Sequence, residues 1–278
     1  MRALNAVASA VVALALAGCA GGAGGTAGTA GGTSAGGPRA GAALYDPAHL
    51  PSGKVGALVR EGYDIITQTH KFAKAYVVSQ MECSSCHIAG GTVPRGGYLR
   101  IAGHFPQWNK RSHRAIALQD RIAECFLYSM NGKPPAYDSR TMIAIVAYIN
   151  WISRGQKTFS PVDPSVRIAR IKPPAPPSVA RGAKIYAAQC SMCHQASGAG
   201  IPGEFPALWG ATSFNKGAGM AKVAMMAGFV RYNMPLGKAG TLSNQQAYDV
   251  AAFVESHKRP AFDKKAAIAF PPEPASFF

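Results

Sequence analysis

The sequence predicts an all-α protein in which two domains of the same plan follow one another. Three observations predict it. The pentapeptide Cys83-Ser84-Ser85-Cys86-His87 recurs as Cys190-Ser191-Met192-Cys193-His194, in a chain with six cysteines among 278 residues. Apolar residues at helical spacing precede and follow each copy, and no stretch reads convincingly as a sheet. Between the halves, Thr158 to Ser178 contains Pro161, Pro164, Pro173, Pro174, Pro176 and Pro177, an extended, semi-rigid connection.

Two thiols separated by two residues, with a histidine directly after, form the attachment signature of a c-type haem. Cys83 and Cys86, and again Cys190 and Cys193, are the residues that would bond to the macrocycle. His87 and His194 would be the proximal iron ligands. A four-cysteine zinc site would use both pairs but leaves each following histidine unexplained. Two covalently bound haem c groups are therefore expected, one per domain. The fold class narrows to two class I cytochrome c-like domains in tandem.

Residues 1–18 read as an export signal. Arg2 supplies a positive start, and Val7 to Ala17 is apolar apart from Ser9 but too short to span a membrane. Leu16-Ala17-Gly18-Cys19 looks like the lipobox of a bacterial lipoprotein, with Cys19 carrying lipid after cleavage; the rival reading is an ordinary secretory signal. Residues 19–43 are almost only Gly, Ala, Thr and Ser, which cannot bury enough apolar surface to order themselves. As a random coil this tether would span about 25–30 Å. The expected location is the periplasm, with a lipid anchor as the only membrane attachment. The net charge is +16. The export signal, and the lack of any Lys/Arg run resembling a nucleic-acid arm, exclude ordinary DNA work and leave small anions or an acidic redox partner.

The first domain is expected over 44–156. Val55, Leu58, Val59 and Ile66 lie at helical spacing before the first signature, with Gly62 and Tyr63 between them. Gly90 to Gly103 is loop, and its Arg95 and Arg100 are candidates to meet haem propionates or solvent. Leu118, Ile122, Cys125, Phe126 and Ser129 share a helical face, and Asn131-Gly132 ends that helix, with the glycine suited to the left-handed position. Ser139 caps a closing helix with a stripe of Met142, Ile145, Val146, Ile149 and Ile152. After a linker at 157–177, the second domain at 178–278 repeats the plan. Ser178 caps a helix through Val179, Ala183 and Tyr186, and Ser243 with Gln246 forms a capping box before Ala247, Val250, Ala251 and Val254. The tail from Arg259, with Pro260, Pro271, Pro272 and Pro274, is expected to wrap over the surface.

The residue opposite each proximal histidine decides whether a haem only carries electrons or does chemistry. In the second domain Met234 is the candidate, in Asn233-Met234-Pro235-Leu236-Gly237, where Pro235 favours extended backbone at Met234. Met220, Met225 and Met226 are rivals that read better as helical core. The first domain has no such loop. It offers Cys125, the one cysteine left after lipid and haem have taken theirs. Cys125 is either a buried free thiol or a thiolate iron ligand, and Arg121 one turn earlier favours the thiolate. Met130, His104 and His113 are the other candidates.

Here the chain resembles the tetrathionate-forming thiosulfate dehydrogenases, dihaem cytochromes c of the periplasm. The resemblance runs from about Val55 to Pro260 and rests on the two haem signatures, Asn-Met-Pro-Leu-Gly, and the run from Arg121 to Lys133 with its Cys-Phe-x-x-Ser-Met-Asn-Gly-Lys. It implies that Cys125 is the distal ligand of haem 1 and Met234 that of haem 2. It implies that Arg111, Arg121 and Ser129 surround the substrate, and that Cys125 leaves the iron to bond the sulfane sulfur. Where some members carry a lysine able to compete for the iron, this chain has Asn233, a poor ligand. The implied reaction joins two thiosulfates into tetrathionate and passes two electrons to an external redox partner such as another cytochrome c. The rival readings are a dihaem electron carrier without substrate, a Sox-type cytochrome subunit, and a reductase running the reaction backwards.

Overall fold

The computed structural model describes residues 49–262. Cys19, the export signal, the tether and the prolines from Pro271 onward lie outside the described residues. The first half runs through α1 (Gly53–Thr67) and the single turn α2 (Thr69–Phe72) to the first signature, then the short α3 (Ile88–Gly91). A hairpin of β1 (Gln107–Asn109) and β2 (Arg114–Ile116) leads into α4 (Leu118–Tyr128) and α5 (Arg140–Ile152). The second half consists of α6 (Val179–Gln189), α7 (Ser191–His194), α8 (Val223–Asn233) and α9 (Asn244–Glu255).

Each half is built on a crossing of its first and last long helices, α1 on α5 and α6 on α9. The same device permits both crossings. A Cβ at Gly62 would lie 2.0 Å from the Ala144 carbonyl oxygen, and one at Gly182 would lie 1.9 Å from that of Asp249. Only glycine lets the backbones approach so closely. An aromatic pair seals each crossing: Tyr63 with Tyr148 at 5.6 Å between centroids, and Tyr186 with Phe253 at 5.2 Å. In the second half Asp249 is buried against α6. It accepts from Arg181 Nε at 2.7 Å and from the Ser178 N–H at 2.7 Å, and so pins the start of α6 to α9.

The expected caps form. Ser139 Oγ accepts from Met142 N at 3.2 Å, Ser178 Oγ from Arg181 N at 3.3 Å, and Ser243 and Gln246 close a reciprocal box. Met142, Ile145, Ile149 and Ile152 are buried in the core and Val146 is half-buried beside them. Two expectations are corrected. The hairpin was not foreseen, because strands of three residues are too short for alternation to register. At the end of α4 it is Asn131, not Gly132, that takes positive φ (+48°); Gly132 is required instead because a Cβ there would lie 2.0 Å from the Tyr76 carbonyl oxygen. The start of the tail is anchored, since Arg259 is buried, pairs with Glu255 at 2.7 Å and bonds the Leu208 carbonyl at 3.2 Å; the expected path of the tail over the surface falls on residues outside those described.

Candidate active site

α4 runs along the site with two working faces. Leu118, Arg121, Ile122, Cys125 and Phe126, at helical spacing, line a cavity whose opposite wall includes Cys83, His87 and Tyr98. Asp120, Glu124 and Tyr128, four residues apart in turn, hold the hairpin. Arg114 pairs with Asp120 at 2.9 Å. Asn109 Nδ2 donates to Glu124 Oε1 at 2.7 Å. The Arg111 guanidinium sits 4.0 Å over the Tyr128 ring. The hairpin turn thereby brings Arg111 to the same end of α4 as Cys125.

The cavity holds about 790 Å³ of empty space counted out to its mouth, and its walls are mostly apolar. The residues around it fit haem c. Cys83 and Cys86 are half-buried free thiols, as are Cys190 and Cys193 in the second half, and no described cysteine is in a disulfide. Among the described residues no three His, Cys, Asp or Glu side chains converge on one point. His87 Nδ1–H donates to the Gly96 carbonyl at 2.5 Å, and His194 Nδ1–H to that of Pro206 at 2.9 Å. Each bond fixes the ring and leaves Nε2 for iron, the arrangement expected of a metal-binding imidazole. Burial lowers the pKa of His87 to about 4, against the opposing pull of the Gly96 carbonyl, so the ring is neutral as a ligand must be. Tyr98 stacks on it at 4.0 Å between centroids.

The structure thus gathers His87, Cys83, Cys125, Arg121 and Met130 on one cavity. Arg111 lies beyond its lining but close enough to act electrostatically on Cys125. Ser129 does not line the cavity; it caps α4, and its N–H donates to the Cys125 carbonyl at 2.9 Å. His104 has both ring nitrogens engaged, by the Ser160 carbonyl at 3.1 Å and Gln107 Oε1 at 2.7 Å. His113 lies in the hairpin turn. In the second half Met234 follows α8 in extended backbone (φ −121°, ψ 154°) and packs against the core half-buried. Of its rivals, Met225 and Met226 lie within α8 and Met220 in a short 3-10 turn. Arg95 turns to the Tyr232 ring at 4.9 Å.

Sequence reasoning missed Glu124, and with it the charge balance of the site. Burial raises the Cys125 pKa; Arg121 and Arg111 pull it down and Glu124 pushes it up, with a net rise. Arg121 does favour the thiolate, as expected, but it is paired with Glu124 Oε2 at 2.5 Å, and burial, with Glu124, outweighs it. A thiolate here requires a further positive centre, which ferric haem would supply.

Two haem-binding halves, each with a histidine fixed through Nδ1, define a dihaem c-type cytochrome. The family models agree: residues 69–158 match the SoxA/TsdA cytochrome c domain and residues 179–258 match Cytochrome c. The chain is 37% identical over 236 residues to a thiosulfate dehydrogenase of Stutzerimonas stutzeri, covering 82% of this chain and 77% of that one. It is 38% identical over 221 residues to one from Thiomonas intermedia, covering 76% and 69%. The solved thiosulfate dehydrogenase (TsdBA) from Marichromatium purpuratum superposes with a TM-score of 0.73 at 33% identity, over 82% of this chain; the present chain spans about half (52%) of that longer one. The chain belongs to the thiosulfate dehydrogenase family.

Proposed function

We propose that the protein joins two thiosulfate anions through a new S–S bond to give tetrathionate, releasing two electrons to an external acceptor such as another cytochrome c. The observation that carries this reading is the pairing of Cys125 with His87 on one cavity, with Arg121 beside it, in a chain whose relatives are thiosulfate dehydrogenases. A carrier needs only a methionine there; a cysteine and fixed cations serve an anionic sulfur substrate.

In this reading His87 and Cys125 would hold the iron of haem 1, and His194 and Met234 that of haem 2. Bound haem supplies a one-electron acceptor in each half, so that the pair takes up both electrons. Arg121 and Arg111 offset the repulsion between two dianions, as donors already fixed by Glu124 and Tyr128. No proton moves in the net reaction, which agrees with the lack of any need for a general base. Export and a lipid anchor at Cys19 are part of the proposal, supported by Leu16-Ala17-Gly18-Cys19. No described helix is long and apolar enough to cross a membrane.

The test is thiosulfate-dependent reduction of ferricyanide by the purified dihaem protein, with product analysis. One tetrathionate formed for every two thiosulfates consumed is expected. Haems that thiosulfate does not reduce would leave an electron carrier.

A further inference from the structure

Arg95 and Gly96 form a two-residue turn with positive φ, +62° and +136°. All four of its main-chain polar groups are engaged, by three separate parts of the chain. The Arg95 and Gly96 N–H groups donate to the Ser165 and Val166 carbonyls of the linker, both at 2.8 Å. The Gly96 carbonyl accepts from His87 Nδ1–H at 2.5 Å. The Arg95 carbonyl accepts from Asn233 Nδ2 at 3.0 Å. Asn233 is buried, and the same amide nitrogen donates to the Phe229 carbonyl at 3.2 Å, one turn back on α8. Both amide protons are therefore used. The residue after Asn233 is Met234, and the residue before it, Tyr232, carries the Arg95 guanidinium on its ring.

The bond to Phe229 is enough to finish α8 within its own half. The bond to Arg95 reaches into the other half and ends one peptide from the carbonyl that sets the His87 ring. A carbonyl that accepts from a ligating imidazole fixes its orientation and raises its basicity. Gly96 has little room to shift, since even a Cβ there would lie 3.2 Å from the Cys86 carbonyl oxygen.

We infer that Asn233 is a positioning residue that couples the two haem centres: through the Arg95–Gly96 turn, the setting of the Met234 loop is felt at His87. The inference rests on the reading of His87 and Met234 as axial ligands. Such coupling is reciprocal, so a change at either loop registers at the other.

The experiment compares the wild-type holoprotein with Asn233→Ser and Met234→Ala. A serine hydroxyl bonds back to the Phe229 carbonyl but is too short to reach Arg95, so only the tie between the halves is lost. Asn233→Thr makes the same change should the serine variant not accumulate. The readouts are the midpoint potential and low-spin EPR signal of haem 1, and the weak methionine–iron absorption band of ferric haem 2. In Asn233→Ser, haem 1 shifts in potential and EPR signal although no residue of its own half has changed. A haem 1 identical to wild type overturns the inference alone, provided the methionine band is present in wild type and lost in Met234→Ala. A wild type without that band overturns the ligand reading as well.

Discussion

Arg121 Nη1 lies 2.5 Å from Glu124 Oε2, one turn apart on α4 at the cavity that Cys125 lines. Glu124 is buried and its other oxygen takes the Asn109 amide, so one carboxylate holds both a cavity-lining cation and the hairpin. Glu124→Ala should release both. Steady-state kinetics should show kcat/KM for thiosulfate lower by about 10–100-fold, or about 1.4–2.8 kcal/mol, with haem content unchanged. Glu124→Gln, which keeps the shape and the Asn109 contact, should be milder.

The two cations themselves should matter more. Arg121→Ala and Arg111→Ala should each lower kcat/KM by about 100-fold, the scale for removing a fixed donor from developing or repelling charge. Arg121→Lys should not restore it, because a lysine lacks the planar fork. The wild-type KM should rise with ionic strength as the attraction for thiosulfate is screened.

The helix crossings give a stability prediction. Gly62→Ala and Gly182→Ala place a Cβ within 2.0 Å of a carbonyl oxygen, and each should cost about 3 kcal/mol or more in denaturant unfolding. Gly219→Ala meets nothing within 4 Å and should fall within about 0.5 kcal/mol of wild type.

Asp249 gives a pH dependence. Burial alone would raise its pKa, but hydrogen bonds from Arg181, the Ser178 N–H and Gln245 outweigh burial and leave it lowered. A depressed carboxylate stabilises the fold fully above its unfolded pKa of about 3.9, and this is lost as pH falls through the folded value. Asp249→Asn should therefore destabilise the second half by about 1–3 kcal/mol near neutrality. The gap should close below about pH 4. Unfolding curves measured across pH check both points.

Much of this architecture was legible in the sequence because it rests on short-range rules. The haem signatures, the Ser139, Ser178 and Ser243 caps and the apolar face of α4 are set by spacing within a turn or two. The place of Cys125 on the cavity was legible by subtraction, since every other cysteine had an expected use. What was not legible depends on partners far apart in the chain. Glu124 reads as a surface acid until the hairpin folds over it, and Asn233 reads as a poor iron ligand until Arg95 is beside it. The corrected charge of the Cys125 site has the same origin: Arg121 one turn away suggests a thiolate, but burial and Glu124 reverse the sign.

The central claim is that Cys125 sits on the iron of haem 1 and that the site it completes oxidises thiosulfate. Low-temperature EPR of the purified dihaem protein tests it most directly, with Cys125→Ala in parallel and thiosulfate-dependent ferricyanide reduction measured on both. The account predicts a thiolate-type low-spin signal in the wild type that disappears in the variant together with turnover. A wild type showing only His/Met or His/His signals, with no thiosulfate-dependent turnover, would contradict it and leave a dihaem electron carrier in which Cys125 is a core residue.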